Sequence, residues 1–385
     1  MATKCGVMKV AGLFAGIGGF ELGLKRGGHE SILLCEISPA AKAVLGRRFA
    51  GVDCHPDITE LQSLPSDVEL LLAGFPCQDL SQAGMTAGID GNRSSLVQHV
   101  FRLLDDRPIP WVILENVSFM LRLGRGKALR VIVGALEDRG YRWAYRVVNS
   151  LAFVPQRRER VFLVATRTGV DPADVLLADE RVPPRCQTNL DEHAHGFYWT
   201  EGTRGLGWAP NAVPTLKVGS AINIPAPPAI LLPDGQVVTP DIRDAERLQG
   251  FPEDWTKPAE DRPRRSVRWS LVGSAVTVPI ASWLGRRLFA PGAYHCGRDR
   301  ELESSSPWPT AARFDGRKRW KVQISSFPTW SNSVPLVAFL EHPGSPLSVR
   351  ATRGFLARAD SSTLRFREGF KDRVRAHLHR MEHAM

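Results

Sequence analysis

The stretch Leu13-Phe14-Ala15-Gly16-Ile17-Gly18-Gly19-Phe20 decides the fold. The apolar run Val10–Phe14 predicts a strand that enters it, and the amphipathic pattern of Gly19–Arg26 predicts a helix that follows it. Glycines at such a turn let a ligand approach the backbone, and the helix N-terminus favours negative charge. A tight turn without a ligand is the alternative. Because Glu21 stands where a dinucleotide fingerprint requires its third glycine, a smaller adenosyl ligand fits better.

The alternation of short apolar runs and amphipathic stretches continues through the first 165 residues. It predicts an α/β fold with a mostly parallel sheet. Further strands are predicted at Ile32–Cys35, Leu70–Ala73, Trp111–Leu114 and Val161–Ala165. Further helices are predicted at Pro39–Phe49, Ser95–Leu104, Lys127–Arg139, Asp241–Leu248, Val276–Leu288 and Glu368–Met381. Ser38 is the expected N-cap of the helix that begins at Pro39.

The composition excludes several classes of protein. Of 385 residues, 43% are hydrophobic and 23% charged, which is ordinary globular usage and argues against disorder. The apolar runs are far shorter than the roughly 20 residues of a membrane span. The six cysteines form no Cys-x-x-Cys pair, so we expect no metal site, no disulfide framework and a reducing, intracellular location.

The charge is unevenly distributed. Residues 1–290 hold 34 basic and 31 acidic side chains, whereas residues 291–385 hold 16 and 9, and the chain carries +10 overall. A basic protein suits a polyanion, although charge alone does not separate nucleic acid from a membrane surface or from simple solubility.

Reactive side chains follow the ends of the predicted strands. Glu36 ends the second strand, Asp57 follows a third short segment, Cys77 follows the strand Leu70–Ala73, and Glu115 follows the strand Trp111–Leu114. The carboxyl ends of parallel strands line the crevice where open α/β sheets bind ligands, so we expect Cys77 and Glu115 to face it. A thiolate there would be a nucleophile, and a carboxyl beside it a general acid. Taken singly, each could instead be a buried thiol or a capping carboxylate.

A basic stretch, Gln156-Arg157-Arg158-Glu159-Arg160, precedes the strand at Val161. If this stretch is extended, Arg158 and Arg160 share one face, with Gln156 beside them. Such arginines are often only solvated, but near the crevice they could bind phosphate or hold a base.

Six motifs in this order resemble the DNA cytosine-5 methyltransferases, over residues 8–290. They are Phe-x-Gly-x-Gly-Gly at the first turn, Gly74-Phe75-Pro76-Cys77-Gln78, Glu115-Asn116-Val117, Gln156-x-Arg158-x-Arg160, Arg247-Leu248-Gln249-Gly250-Phe251-Pro252 and Gly273-Ser274-Ala275-Val276.

The resemblance implies a Rossmann-like S-adenosylmethionine-dependent domain that flips a cytosine out of the duplex. By the same resemblance, Cys77 adds to C6 of the base and Glu115 contacts N3. Arg158 and Arg160 hold the base. The positions matching cofactor contacts are Phe14, Ala15, Gly16, Ile17, Gly18, Gly19, Glu36, Ile37, Asp57, Ile58, Pro76, Ser274 and Val276.

The resemblance also divides the chain into a catalytic core (8–182), a variable target-recognition region (183–240), a return to the core (241–290) and a C-terminal extension (291–385). Thr215-Leu216 resembles the short Thr-Leu element of the recognition region. The expected DNA contacts are Gln78, Ser81, Gln82, Gln156, Arg204, Thr215, Leu216 and Lys217.

One motif departs from the family pattern, because Ser274 stands where asparagine is usual. We expect a weakened cofactor contact with activity retained. Ser274→Asn should then lower the KM for the cofactor, and an unchanged KM would refute this.

The extension 291–385 lies outside the resemblance. Its stretch Arg317–Lys321 suits contact with a DNA backbone, and its terminal helix, with Phe370 and Val374, is expected to dock on the catalytic core.

Two alternatives to the DNA enzyme remain. A tRNA-modifying branch shares the motifs but carries Cys-Phe-Thr in its recognition region, where this chain has Cys186-Gln187-Thr188. A catalytically silent paralogue would usually lack Cys77 or Glu115, and both are present. We therefore expect a cytoplasmic prokaryotic enzyme, a monomer on double-stranded DNA, either solitary or paired with a restriction endonuclease.

Overall fold

The computed structural model describes residues 6–76, 96–185, 188–203, 205–219, 227–260, 266–303 and 306–383. The chain divides into two compact units. The first comprises Met1–Asn149, Glu159–Val182 and Val276–Thr329, and the second comprises Ser150–Arg158, Pro183–Ala275 and Trp330–Met385.

The strands of the described residues are β1 (Lys9–Leu13), β2 (Glu30–Cys35), β3 (Asp53–His55), β4 (Leu70–Ala73), β5 (Trp111–Val117), β6 (Arg142–Asn149), β7 (Gln156–Arg157), β8 (Glu159–Thr166), β9 (His195–Phe197), β10 (Ala209–Pro210), β11 (Val213–Pro214), β12 (Ala229–Leu231), β13 (Val237–Thr239), β14 (Asp299–Glu301), β15 (Ala311–Phe314), β16 (Arg319–Val322) and β17 (Ser345–Pro346).

The α-helices are α1 (Gly19–Arg26), α2 (Pro39–Arg48), α3 (Leu96–Asp106), α4 (Lys127–Asp138), α5 (Pro172–Leu176), α6 (Ile242–Leu248), α7 (Val267–Ser274), α8 (Val278–Phe289), α9 (Leu336–Phe339), α10 (Val349–Asp360) and α11 (Phe370–His383). Short 3₁₀ helices lie at Ser118–Leu121, Leu123–Gly126, Ser150–Ala152, Lys257–Ala259 and Cys296–Arg298. Ser38 caps α2 as expected, with its hydroxyl accepting from the N–H of Ala41.

The first unit is built on a sheet in the order β14-β16-β15-β6-β8-β5-β4-β1-β2-β3. The pairings from β3 to β5 are parallel, which confirms the α/β prediction for this half of the sheet. The strand at Val161–Ala165 forms within β8, which pairs antiparallel with both β5 and β6.

Helices cover both faces of this sheet. On one face, apolar residues of α3 and α4 join a core cluster with alternate strand residues such as Leu13 and Leu163. On the other face, Phe20 of α1 contacts the ring of Phe162 edge-on at 6.0 Å. Since neighbouring residues of a strand point to opposite faces, Phe162 and Leu163 define the two layers.

The extension contributes three strands to the first unit. β15 pairs antiparallel with β6, and β16 and β14 continue the sheet to its edge. The stretch expected to contact DNA lies here, and two of its cations are engaged within the unit. Arg319 donates to the carboxylate of Glu137 through two bonds of 2.7 Å, and Lys318 pairs with Glu301 at 3.1 Å.

The second unit contains a sheet in the order β10-β9-β12-β13-β17 and a small parallel pair, β11-β7. Strands β9, β10, β12 and β13 lie in the predicted recognition region, whereas β17 comes from the extension. Phe197 and Leu231 of the sheet share a core with Phe355 of α10 and with Phe370 and Val374 of α11.

The extension is thus divided between the two units; of the boundaries predicted from sequence, the one between residues 182 and 183 is also a boundary of the units, whereas those at 240 and 290 lie inside a unit. The terminal helix does dock through Phe370 and Val374, but its partner is the recognition sheet of the second unit. The expectation that it would pack on the catalytic core is corrected accordingly. Its apolar stripe could be predicted, but the surface that covers it depends on contacts distant in sequence.

No helix among the described residues is long and apolar enough to cross a membrane. Within the same residues, no cluster of three or more histidine, cysteine or acidic side chains could hold a metal ion.

Candidate active site

The carboxyl ends of the parallel strands are aligned in register. Leu13 lies opposite Cys35 on one side and Ala73 on the other, and Ala73 lies opposite Leu114. Residues that follow these strands therefore emerge at one edge of the sheet, about 5 Å apart from strand to strand. Since the strand order reverses at β1, this edge has the crevice in which open α/β sheets bind ligands.

The turn after β1 leaves backbone accessible. Gly16 and Gly18 have φ of 56° and 81°, values that favour glycine. A side-chain carbon at Gly16 would meet no atom within 4 Å, whereas one at Gly18 would lie 2.2 Å from the ring of Phe49. Gly18 is thus required for packing, and Gly16 borders open space that a ligand can fill. The side chain of Ile17 lies in the core, so its predicted contact can involve only backbone.

Glu36 connects this turn to the end of β2. Its carboxylate accepts from the N–H of Gly16 at 2.8 Å and from the N–H of Ser38 at 2.7 Å. A carboxylate has about four acceptor positions, so two remain for hydroxyl groups of a ligand. Next to it, Ile37 is 68% exposed and offers an apolar surface for a flat ring.

Asp57 and Ile58 are adjacent in the sequence but differ in their surroundings. Asp57 accepts from the N–H of Thr59 at 2.8 Å, and this hydrogen bonding holds the pKa of its carboxyl below the usual value. Ile58 is buried in the core of the first unit.

Glu115 lies at the end of β5, next to the segment that follows β4. Its Oε1 is 3.2 Å from Nε of Arg160, and both side chains are largely buried. Oε2 lies 3.6 Å from where a side-chain carbon on Gly74 would stand. The register places Arg160 opposite Val117, so the pair is diagonal across β5 and β8. The structure thus brings together two predicted catalytic residues.

Asn116 was not predicted as a site residue, although it stands in the Glu-Asn-Val motif. Its amide donates to the carbonyl of Phe75 at 2.9 Å, and its carbonyl oxygen accepts from the N–H of Val117. These bonds fix the backbone immediately before the exposed Pro76, after which the chain continues to Cys77.

Several predicted residues lie outside the described part of the chain. These are Cys77, Gln78, Ser81, Gln82 and Arg204. Among the described residues, the free cysteines are Cys35, Cys54 and Cys296. Burial raises the pKa of the Cys35 thiol to about 12, which makes it a poor nucleophile.

In the second unit, Gln156 is 0% exposed. Its amide donates to the carbonyl of Leu248 and to the side chain of Gln249, and its oxygen accepts from the N–H of Leu216. Gln156 and Leu216, which the sequence predicts to contact DNA, are thus both buried. Their polar groups are used in the interior. Gln249, in the Arg-Leu-Gln motif, also donates to the carbonyl of Val272.

Arg158 is 2% exposed, and its guanidinium donates to three backbone carbonyls of the second unit. The acceptors are Leu216 at 3.0 Å, Gly273 at 3.2 Å and Ala275 at 2.9 Å. Arg158 thus connects the backbone of the Thr-Leu element to that at the end of α7, and we call these three hydrogen bonds the Arg158 clamp. The group predicted to hold a flipped base is thus engaged with backbone.

Thr215 and Lys217 flank that clamp at the surface. Thr215 donates its hydroxyl to the carbonyl of Arg157 at 2.9 Å. Lys217 pairs with Glu201 at 2.5 Å, and its Nζ lies 3.6 Å from the ring centroid of Tyr198.

Ser274 and Val276 fall in different units. Ser274 is exposed at the end of α7, and its hydroxyl donates to the carbonyl of Leu271 at 3.0 Å. Val276 is half-buried and belongs to the first unit.

Comparison with known proteins supports the class that this fold indicates. The solved structure of S. pombe Dnmt2 methyltransferase covers 73% of this chain and 98% of its own, with a TM-score of 0.52 and 16% identity. The Entamoeba histolytica methyltransferase EhMeth covers 74% and 98%, with a TM-score of 0.54 and 14% identity. At such identities the likeness concerns the fold alone, which is the α/β fold of these two methyltransferases.

Sequence comparison then gives the family. The family described as C-5 cytosine-specific DNA methylase matches residues 8–195. Type II methyltransferase M2.BsuMI of Bacillus subtilis is 46% identical over 370 residues, which cover 92% of this chain and 94% of the relative. Type II methyltransferase M.MspI of Moraxella is 26% identical over 304 residues, covering 73% and 70%. The chain belongs to the C-5 cytosine-specific DNA methylases, and it is a DNA (cytosine-5-)-methyltransferase of the type II kind.

The match to M2.BsuMI also includes the extension. The 8% of this chain that it leaves uncovered is much shorter than residues 291–385. Most of the extension is therefore shared with that relative.

Proposed function

We propose that the enzyme methylates C5 of a cytosine that is turned out of duplex DNA, through a covalent bond between Cys77 and C6. The observation that supports this most strongly is the Glu115–Arg160 pair beside Gly74, at the strand edge from which the chain continues to Cys77. Removing a base from the stack costs a few kcal/mol, so the polar groups of the site must replace what the stack supplied.

The cofactor suited to this edge is S-adenosylmethionine, because the turn and Glu36 offer the groups that an adenosyl ligand needs. Glu36 would accept from the ribose hydroxyls, Ile37 would cover the adenine, and the backbone from Phe14 to Gly19 would line the rest. Asp57, Ile58 and Pro76 complete this set. When bound, the cofactor supplies an electrophilic methyl group.

The residues of the chain perform the remaining chemistry. The Cys77 thiolate forms a bond to C6, and the electron pair of the C5–C6 double bond makes C5 nucleophilic. Glu115 shares a proton with N3 and so withdraws electron density from the ring, and Arg160 holds both Glu115 and the base. After C5 has gained the methyl group, it loses its proton to a base. Those electrons restore the double bond as the C6–S bond breaks, which releases the thiolate.

The proposed DNA contacts are Gln78, Ser81, Gln82, Arg204, Thr215 and Lys217. Arg158 is a positioning residue in this proposal, because it holds the backbone of the Thr-Leu element through Leu216. Ser274 and Val276 stay proposed cofactor contacts on the strength of the motif.

The test is transfer of labelled methyl from S-adenosylmethionine to unmethylated duplex DNA, with tRNA in parallel. We expect the label as 5-methylcytosine in DNA and its loss in Cys77→Ser. Cys296→Ser, which changes an exposed thiol, is the matched control and should retain activity. Label in tRNA alone, or unchanged activity in Cys77→Ser, would overturn the proposal.

We further propose that the enzyme acts as a monomer and protects sites that a cognate restriction endonuclease cuts. The type II name of the relative M2.BsuMI supports the pairing with an endonuclease. DNA methylated to completion should resist an endonuclease of the same sequence, and gel filtration should give one chain per particle. Continued cleavage would refute the pairing.

A further inference from the structure

The segment Leu364-Arg365-Phe366-Arg367 joins α10 to α11 in the second unit and forms no regular secondary structure. Leu364 and Phe366 are half-buried, and Phe366 packs on the core and stacks on Phe370 with 6.0 Å between ring centroids. Arg365 and Arg367 alternate along the chain with these half-buried residues. Both are exposed. The apolar residues thus fix two arginines on one surface.

These two arginines line a groove of about 350 Å³ together with Arg157. The rest of its lining comes from Leu206, Gly207 and Trp208, and from the apolar side chains of Leu364 and Phe366. We call this the arginine groove. Three separate parts of the chain form it, so its shape depends on the fold of the second unit.

No carboxylate among the described residues pairs with the three arginines of the groove. Arg367 donates to the hydroxyl of Thr188 at 3.1 Å, which leaves its charge uncompensated. Neighbouring cations of α11 differ in this respect. Arg373, Arg375 and Lys371 each form an ion pair with an aspartate. Within the described residues, these three cations are thus compensated by a carboxylate, whereas the three arginines of the groove are not.

The groove is continuous with the Thr-Leu element. Thr215 donates to the carbonyl of Arg157, and the hydroxyl of Tyr198 donates to the carbonyl of Thr215 at 2.7 Å. The ring of Tyr198 covers Gly207, where a side-chain carbon would lie 2.2 Å from it. Thr215 and the three arginines thus belong to one connected surface.

We propose that the arginine groove binds phosphate groups of the DNA that flanks the target site. This inference rests on the proposed function, in which Thr215 and Lys217 contact DNA. Guanidinium groups match phosphate oxygens in geometry and charge, and such contacts position a protein without reading sequence. The C-terminal extension would then supply part of the DNA-binding surface.

The test compares the unmodified enzyme with the double variant Arg365→Ala/Arg367→Ala on unmethylated linear plasmid DNA over a series of KCl concentrations. Two lost phosphate contacts should reduce the slope of log K against log salt by about 1.8. We expect a KM for DNA raised about tenfold at low salt. The kcat, the KM for S-adenosylmethionine and the Tm should be unchanged, since both side chains are exposed.

The matched control is Arg300→Ala/Arg350→Ala, which removes the same charge from exposed positions of the extension outside the groove, neither of them in an ion pair with a described residue. This control variant should leave the slope of log K against log salt almost unchanged. An equal loss of slope in both variants would mean general electrostatics and would overturn the inference. So would an unchanged slope in the groove variant of an enzyme that still methylates DNA. If the unmodified enzyme neither binds nor methylates DNA, the proposed function fails as well.

Discussion

The ion pair between Glu115 and Arg160 determines what the carboxyl at the end of β5 can do. The pair is 3.2 Å apart and largely buried, so the orientation of Glu115 toward Gly74 is fixed before any base arrives. Glu115→Gln keeps the shape and an acceptor for Arg160 but cannot supply a proton as a carboxyl does. We expect kcat to fall about 100-fold or more, with little change in Tm. Methyl transfer and thermal unfolding measure the two effects.

Glu159→Gln is the matched control for this prediction, because Glu159 is exposed on the same strand as Arg160. It should retain full kcat. A Glu115→Gln enzyme with unreduced kcat would remove Glu115 from the chemistry.

Glu21 is a buried carboxyl beneath the glycine turn, and desolvation raises its pKa to about 7. Among the described residues its Oε2 has no hydrogen-bond partner. An acid with a raised pKa in the folded state favours folding while protonated, and that contribution is lost as the pH rises through about 7. At pH 8, Glu21→Gln should therefore unfold at a higher urea concentration than the unmodified enzyme, with a free energy of unfolding larger by up to about 3 kcal/mol. At about pH 4, below the pKa of an unfolded glutamate, the two should be nearly equal in stability. An advantage independent of pH would contradict this.

At the scale of elements, the strands that end at the site were predictable and one neighbour was not. Leu70–Ala73 was predicted with the bounds it has, because its apolar run marks a strand buried on both faces. β6 was missed since Arg146 interrupts its apolar pattern. That side chain is buried and donates to the carbonyls of Ser325 and Asp179, at 2.8 and 2.7 Å. Partners so distant in the sequence give no local signal.

The same reason explains why the burial of Gln156 and of Arg158 could not be predicted from the sequence. Alternation in a basic stretch shows which side chains share a face, but it does not show what covers that face. The carbonyls that engage Arg158 lie 58 to 117 residues away. By contrast, Glu36 and Glu115 could be placed because the ends of parallel strands share one edge whatever their distant contacts.

The adjacent residues Arg157 and Arg158 should therefore respond differently to substitution by methionine. Arg158→Met removes the guanidinium bonds to three backbone carbonyls, of which, among the described residues, only that of Ala275 has a second donor, Gln249 at 3.4 Å. This loss should cost about 3 kcal/mol of unfolding free energy. Arg157→Met, at an exposed position, should change stability by less than about 0.5 kcal/mol while weakening DNA binding. Urea unfolding and DNA titration of both variants check this. Equal free energies of unfolding for the two variants would show that the Arg158 clamp contributes little to stability.

For the whole molecule, the extension is a structural part of both units, although its composition resembles that of a basic appendage. Residues 299–322 complete the large sheet, and residues 345–383 add a strand and two helices to the recognition sheet. Composition could not reveal this, because the paired and the unpaired cations of the extension look alike in sequence. Only partners such as Glu137 for Arg319 distinguish them.

The strongest consequence concerns Phe370 of α11, in the second unit. Its ring lies 5.1 Å from Phe197 and 5.0 Å from Trp208, between the terminal helix and the recognition sheet. Phe370→Ala should therefore cost about 3–5 kcal/mol of unfolding free energy and expose residues 183–240 to proteolysis. Phe289→Ala, at a partly exposed position ending α8, should cost far less. If Phe370→Ala leaves both the urea midpoint and the cleavage pattern unchanged, the recognition sheet folds without the extension, and the extension would be an appendage after all.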